Sequence, residues 1–177
     1  MVALFGAPFI FIMYQKNKIA NAKTSREKFY RYDDLFKYYA SQNGFPWRWL
    51  KAISKQESDL GDDKRVRNNE VSYDGKSYGI MQIAEGLGSE KEKALKGYGG
   101  RDKLNDPAYS IDKAAQLVGY LNSKYKGNKD KVFLAYNQGE NNTDRGKRYD
   151  LDHTPNGYPE QINKWLDWIS QKEEEYK

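Results

Sequence analysis

The chain has 177 residues, room for one compact domain and a short extra segment. Its 30 basic and 25 acidic residues leave +5, a mild bias towards anionic partners such as cell-wall polymer, lipid headgroups or nucleic acid. The absence of Cys excludes disulfides and thiol nucleophiles, and a single histidine cannot build a zinc site.

Residues 2–14 (VALFGAPFIFIMY) form an uncharged apolar run, followed by Lys16, Lys18, Lys23, Arg26 and Lys28. The run is shorter than the ~20 residues that span a bilayer core as a helix. Three readings fit it: a short membrane anchor with a basic flank, a signal peptide cut near Ala20-Asn21-Ala22, or an apolar segment packed on a partner. No positive charge precedes the run, which weighs against a signal peptide. Membrane association is the expectation, with residues 1–25 as an apolar segment plus basic linker and 26–177 as the folded domain.

From there the periodicity is helical. Phe29, Tyr32, Leu35, Phe36, Tyr39 and Ala40 mark one face of a first helix that Asn43-Gly44 ends. Pro46 opens a second helix with the stripe Leu50, Ile53 and Glu57. Residues 58–77 read as a long polar loop, with room for a short hairpin in the 66–80 region. A short apolar piece follows at 78–84, then a Gly-bearing connection at 96–105. Asp106-Pro107 caps and starts a helix carrying Ile111, Ala114, Ala115, Val118, Leu121 and Tyr125. Gly127-Asn128 breaks it, and KVFLAYN (131–137) reads as a buried helix ended by Gly139. A last helix starts near Pro159 and buries Ile162, Trp165, Leu166 and Ile169. The fold class is mainly α. His153 lies in a Gly/Pro-rich stretch and reads as an exposed loop residue, and no G-x-S-x-G turn supports a serine triad.

Among 25 acidic residues, Glu57 stands apart. It continues an apolar stripe, where loss of water disfavours the charged form, and lies at a helix C-terminus, where the macrodipole repels a carboxylate. Both effects raise its pKa. A carboxyl that stays protonated near neutral pH can protonate the leaving oxygen of a glycosidic bond. The bland reading, a frayed helix end with Glu57 in water, fits the spacing equally well.

Five segments in order change that balance: AISKQES (52–58), YGIMQI (78–83), LNDP with Ile111 (104–111), AYNQG (135–139) and YPEQI (158–162). Together they resemble the lytic transglycosylase domain of the goose-type lysozyme superfamily, whose strings are a helix-ending Glu-Ser, GLMQ, a Leu-x-Asp-Pro helix start, AYNAG and a closing-helix Tyr. The resemblance covers roughly residues 47–166. It implies a lysozyme-like helical fold, with Glu57 as acid and then base, Gln82 and Met81 near the sugar beside the cut, Tyr136 and Asn137 on the facing wall, and Tyr158 near the Glu57 carboxyl. It also implies peptidoglycan glycan strands as substrate and no cofactor or metal. The apolar N-terminus on a small single domain fits a membrane-tethered wall opener, at the cell envelope or in a virion or secretion machine, and the dispersed basic residues point to no nucleic acid. The sequence departs from the pattern in its longer loop before Gly79, in Gln138 and Glu140 for the usual Ala and Pro, and in Ala114 for Gly.

The implied reaction closes the muramoyl 6-hydroxyl onto the anomeric carbon and leaves a 1,6-anhydro end. Two rivals remain. A goose-type hydrolase needs a second carboxylate ~6.5–9.5 Å away to activate water, and Asp74 is the best placed in sequence. A non-catalytic wall-binding module would rest on the basic charge and the 15 Tyr and 4 Trp residues, although its basic residues form no dense stripe.

Overall fold

The computed structural model describes residues 23–84, 100–152 and 157–177. The apolar run at 2–14 and His153 lie outside the described residues. Among those described, no helix is long and apolar enough to cross a membrane. The architecture is mainly helical with one small antiparallel hairpin, as expected for a lysozyme-like domain.

The expected first helix is two. Helix α1 (Ser25–Tyr30) starts at a capping box, in which Thr24 and Glu27 each accept from the other's backbone N–H. Helix α2 (Asp33–Asn43) follows after a break at Arg31-Tyr32. The periodicity runs through that break because both pieces bury one face, but against different partners. Phe29 meets Trp168 and Tyr176 of the last helix edge-on, whereas α2 packs along α6 (Pro107–Lys124). Arg31, itself buried, donates to the Leu60 carbonyl at 2.7 Å and to Asp62 at 2.6 Å. Gly44 then ends α2 in the left-handed conformation (φ 71°), as its position forecasts.

Helix α3 (Arg48–Ser58) begins directly after Pro46-Trp47, with Trp47 as its N-cap, and runs through the middle of the domain, against α2, α6 and α9 (Tyr158–Glu175). Leu50 and Ile53 are fully buried with Leu35, Phe36, Ile111, Leu121, Phe133 and Ile162. Its one buried charge is Lys51, paired to buried Asp33 at 2.8 Å and set over the Phe29 ring at 3.4 Å. Burial pushes the Asp33 pKa up and the Lys51 pKa down, so the pair is held together by mutual need rather than by free gain.

The long loop contains a single helical turn, α4 (Lys64–Arg67). The hairpin expected in the 66–80 region begins at its end and runs past it: β1 (Ser77–Tyr78) pairs with β2 (Ile83–Ala84) in the register Ser77↔Ala84 and Tyr78↔Ile83. The connection expected at 96–105 ends in a short helix, α5 (Gly100–Leu104). Asp106 caps α6 by accepting from the Ala108 and Tyr109 N–H groups. Asn128 caps α7 (Lys129–Gln138), and Gly139 turns the chain into α8 (Glu140–Asp144). A 3-10 turn (Tyr149–Asp152) precedes α9, whose helix continues through the charged tail to Glu175. Tyr176 then packs on Phe29, so the biased tail is part of the domain.

Candidate active site

Glu57 occupies the last turn of α3, the one position on the Leu50–Ile53 stripe where the core gives way to a half-buried surface. The residue after it fixes the helix end. Ser58 is buried; its hydroxyl donates to the Ile80 carbonyl at 2.7 Å and accepts from the Gly61 N–H at 3.0 Å. The Glu-Ser pair thus joins the carboxyl to the hairpin through one side chain.

The hairpin turn itself, Gly79-Ile80-Met81-Gln82, lies against the entry to α6. Gly79 has φ +73°, and a Cβ there would fall 1.9 Å from the Leu104 carbonyl oxygen. Only glycine fits this position. Next to it, the Met81 N–H donates to the Ser110 hydroxyl at 3.3 Å. The Leu-Asn-Asp-Pro segment therefore has two duties, a helix start and a bed for the hairpin.

Two tyrosines close the site from the far helices. Tyr136 on α7 donates its hydroxyl to the Met81 carbonyl at 2.7 Å. Tyr158, the first residue of α9, donates a short hydrogen bond to Oε1 of Glu57. Burial is the main influence on Glu57 and lifts its pKa from the ordinary 4.5 to about 7. The Tyr158 hydrogen bond opposes this rise and the negative charge of Asp74 adds to it. Both phenols are pushed well above 10, first by burial and then by the charge of Glu57, so they act as donors near neutral pH. The Glu57 pKa is thus raised, as its place on the apolar stripe predicts, with desolvation as the leading cause.

The other expected site residues fall into different places. The Met81 side chain is fully buried in the core, so what it offers to the site is its carbonyl, already taken by Tyr136. Gln82 has positive φ (45°) and is half-buried, its amide donating to the Gly79 carbonyl at 2.7 Å. Asn137 is exposed at the end of α7. Asp74 is engaged by its own turn: one oxygen accepts from the Lys76 and Ser77 N–H groups (3.0 and 2.9 Å), the other from the Ser77 hydroxyl at 2.5 Å. Those hydrogen bonds outweigh its burial and hold its pKa below the usual carboxylate value.

Three participants were not foreseen. Ser110 carries no local signal in a helix sequence. Asp150 is buried and accepts the Tyr158 N–H at 2.7 Å, so it fixes where α9 begins. Gln138 binds the segment that carries Asp150, and its signal was its departure from the AYNAG string. Among the described residues, no group of three or more His, Asp or Glu is placed to hold a metal ion.

Comparison with known proteins fits this geometry. Residues 34–157 match the family described as the transglycosylase SLT domain. The chain is 30% identical over 110 residues to the soluble lytic murein transglycosylase of Escherichia coli K12 and, equally, to that of Escherichia coli O157:H7. The aligned part is 61% of this chain and 16% of each relative, so the chain matches only a small portion of those longer proteins. The match takes in Glu57, the hairpin turn, the Leu-Asn-Asp-Pro helix start and the Tyr136 helix in one stretch, and the chain belongs to the transglycosylase SLT domain family.

Proposed function

We propose that the chain is a peptidoglycan lytic transglycosylase in which Glu57 acts alone, first as acid and then as base. The observation that carries this reading is a half-buried carboxyl whose pKa is raised to about 7 while a tyrosine hydroxyl holds one of its oxygens. With Oε1 accepting from Tyr158, the proton of the neutral acid sits on Oε2 and is free to move. It passes to the oxygen joining N-acetylmuramic acid to N-acetylglucosamine, and the bond from that oxygen to the anomeric carbon breaks. The carboxylate formed is stabilised by the Tyr158 hydrogen bond, now charge-assisted. It then takes the proton of the muramoyl 6-hydroxyl as that oxygen bonds to the anomeric carbon, giving a 1,6-anhydro end and returning Glu57 to its acid form.

The substrate would be positioned by Gln82 on the hairpin and by exposed Asn137 beside Tyr136, with Asn137 donating to N-acetyl or ring-hydroxyl oxygens. Because the first step needs the protonated acid, activity falls as pH rises through about 7. The substrate places the protein at the cell envelope. The apolar run at 2–14 and its basic flank support a membrane-proximal position, in a wall-opening machine or a virion, and fractionation of cells or particles reads this directly.

Hydrolysis would assign Asp74 the activation of water. Its two oxygens already accept three hydrogen bonds, and a carboxylate with a lowered pKa is a weak base. Asp74→Asn is therefore expected to retain lytic activity within about tenfold in a turbidity assay on cell walls. Its activity limb near pH 7 should move to lower pH, because a charge that raises the Glu57 pKa is gone. A loss of more than about a hundredfold would transfer the assignment to hydrolysis.

A further inference from the structure

Tyr158 is held at both ends. Its hydroxyl lies on Glu57, and its backbone N–H is bound by Asp150 at 2.7 Å. Asp150 is 1% exposed, and the Arg148 guanidinium meets both of its oxygens, at 2.9 and 3.0 Å. Arg148 also reaches Glu160 on the first turn of α9 at 3.1 Å. Gly157 packs into this cluster so closely that a Cβ would lie 2.3 Å from the guanidinium. The start of α9 is therefore seated on residues 148–150 rather than on any capping side chain of its own.

What seats residues 148–150 is Gln138, the last residue of α7, two positions beyond Tyr136. Its amide nitrogen donates to the Lys147 carbonyl at 2.7 Å. Its amide oxygen accepts from the Tyr149 N–H at 2.9 Å and the Asp150 N–H at 3.4 Å. One side chain thus satisfies backbone groups on both sides of Arg148. The alanine of the AYNAG string could make none of these bonds.

We propose that Gln138 is a positioning residue, which latches the 147–150 segment to α7 and so sets the Tyr158 hydroxyl on the Glu57 carboxyl. The proposal rests on the reading of Glu57 as the acid. Its physical route is short: Gln138 to the Asp150 backbone, Asp150 to the Tyr158 backbone, Tyr158 to Glu57. Loosening the first link lets the start of α9 shift, which lengthens and misaligns the Tyr158–Glu57 hydrogen bond and so weakens it.

The test is a titration of the Glu57 carboxyl by carbon-detected NMR in the full chain, alongside kinetics on soluble glycan strands. Two ionisable groups act on the Glu57 titration, Tyr158 from α9 and Asp74 from the loop before β1, and Glu57 in turn raises the pKa of Tyr136 on α7. A change at Gln138 leaves each of these side chains chemically intact, so it reaches Glu57 through the placement of Tyr158. Gln138→Met keeps the side-chain length and removes both hydrogen-bonding functions. It should raise the Glu57 pKa, since the bond that lowers it is weakened, and the same direction is expected for Tyr158→Phe. It should cut kcat on the order of tenfold with KM changed less than about twofold, and add little to the loss in Tyr158→Phe. Gln138→Asn keeps the amide but is one methylene too short, and guards against misfolding by giving the same shift. A Glu57 titration unmoved in both variants, or a kcat loss fully additive with Tyr158→Phe, overturns the proposal. An inactive role for Glu57 would show separately, as lytic activity surviving Glu57→Gln, and would leave the titration shift standing.

Discussion

Glu57→Gln is expected to remove lytic activity by about a thousandfold or more while making the folded protein more stable at pH 8. The activity loss follows because an amide can neither give the proton to the leaving oxygen nor take one from the 6-hydroxyl. The fold is retained because the amide oxygen still accepts from Tyr158. The stability gain follows from linkage. A carboxyl that titrates near 4.5 in the unfolded chain and at about 7 in the folded one binds more protons when folded between those values. Stability therefore falls as pH rises from 4.5 to about 7 and stays lower above it, by up to about 3 kcal/mol, at about 1.4 kcal/mol per unit. Glutamine does not titrate, so the penalty vanishes. Thermal unfolding at pH 5 and pH 8 should show the variant gaining on the native protein only at the higher pH. Equal stabilities at pH 8 would mean that Glu57 is not held in a desolvated place.

Gly79→Ala should produce the largest loss of stability of any single methyl addition near the site. The added Cβ would meet the Leu104 carbonyl at 1.9 Å and the Ser110 hydroxyl at 3.0 Å, and φ is +73°. The carbonyl is backbone and cannot swing aside, so the hairpin must lift. Lifting it breaks the Met81–Ser110, Ile80–Ser58 and Met81–Tyr136 hydrogen bonds together. A cost of about 4 kcal/mol or more is expected, or a fall of ~10 °C in Tm. Gly75→Ala is the control. It has nearly the same φ, +71°, but nothing within 4 Å of its Cβ, so only the left-handed backbone cost of about 1–2 kcal/mol applies. Equal losses at the two positions in thermal denaturation would remove the steric account of the hairpin's seat.

The parts of this site that were legible in the sequence are those with local chemical grammar. Asp106-Pro107 and Gly44 announce helix ends because capping and positive φ demand those residue types. Glu57 is visible because an apolar stripe at helical spacing runs into a carboxyl. The rest depends on which surfaces meet. Periodicity could not show the break at Arg31-Tyr32, since α1 and α2 both bury their stripe, against different helices. The hairpin was placed only coarsely because its strands are two residues long each, too short to display an alternating pattern. Helices α5 and α8 are five residues each, too short to display a period. The hydrogen bonds that Asp74 accepts from its own turn are likewise invisible in the sequence, because nothing in the residue order shows where that turn closes. Gln138 and Asp150 act across gaps of eight to twelve residues, through backbone groups that no side-chain pattern encodes.

The proposed mechanism asks one carboxyl, on a helix end that Ser58 ties to the hairpin and in a hydrogen bond with Tyr158 of α9, to be acid and base in turn without activating water. The measurement that tests this most directly is mass spectrometry of muropeptides released from purified cell walls in 18O-labelled water. The predicted products carry 1,6-anhydromuramoyl ends with no incorporated label. Reducing ends bearing one 18O atom would contradict it, and would show that water, not the muramoyl 6-hydroxyl, attacks the anomeric carbon.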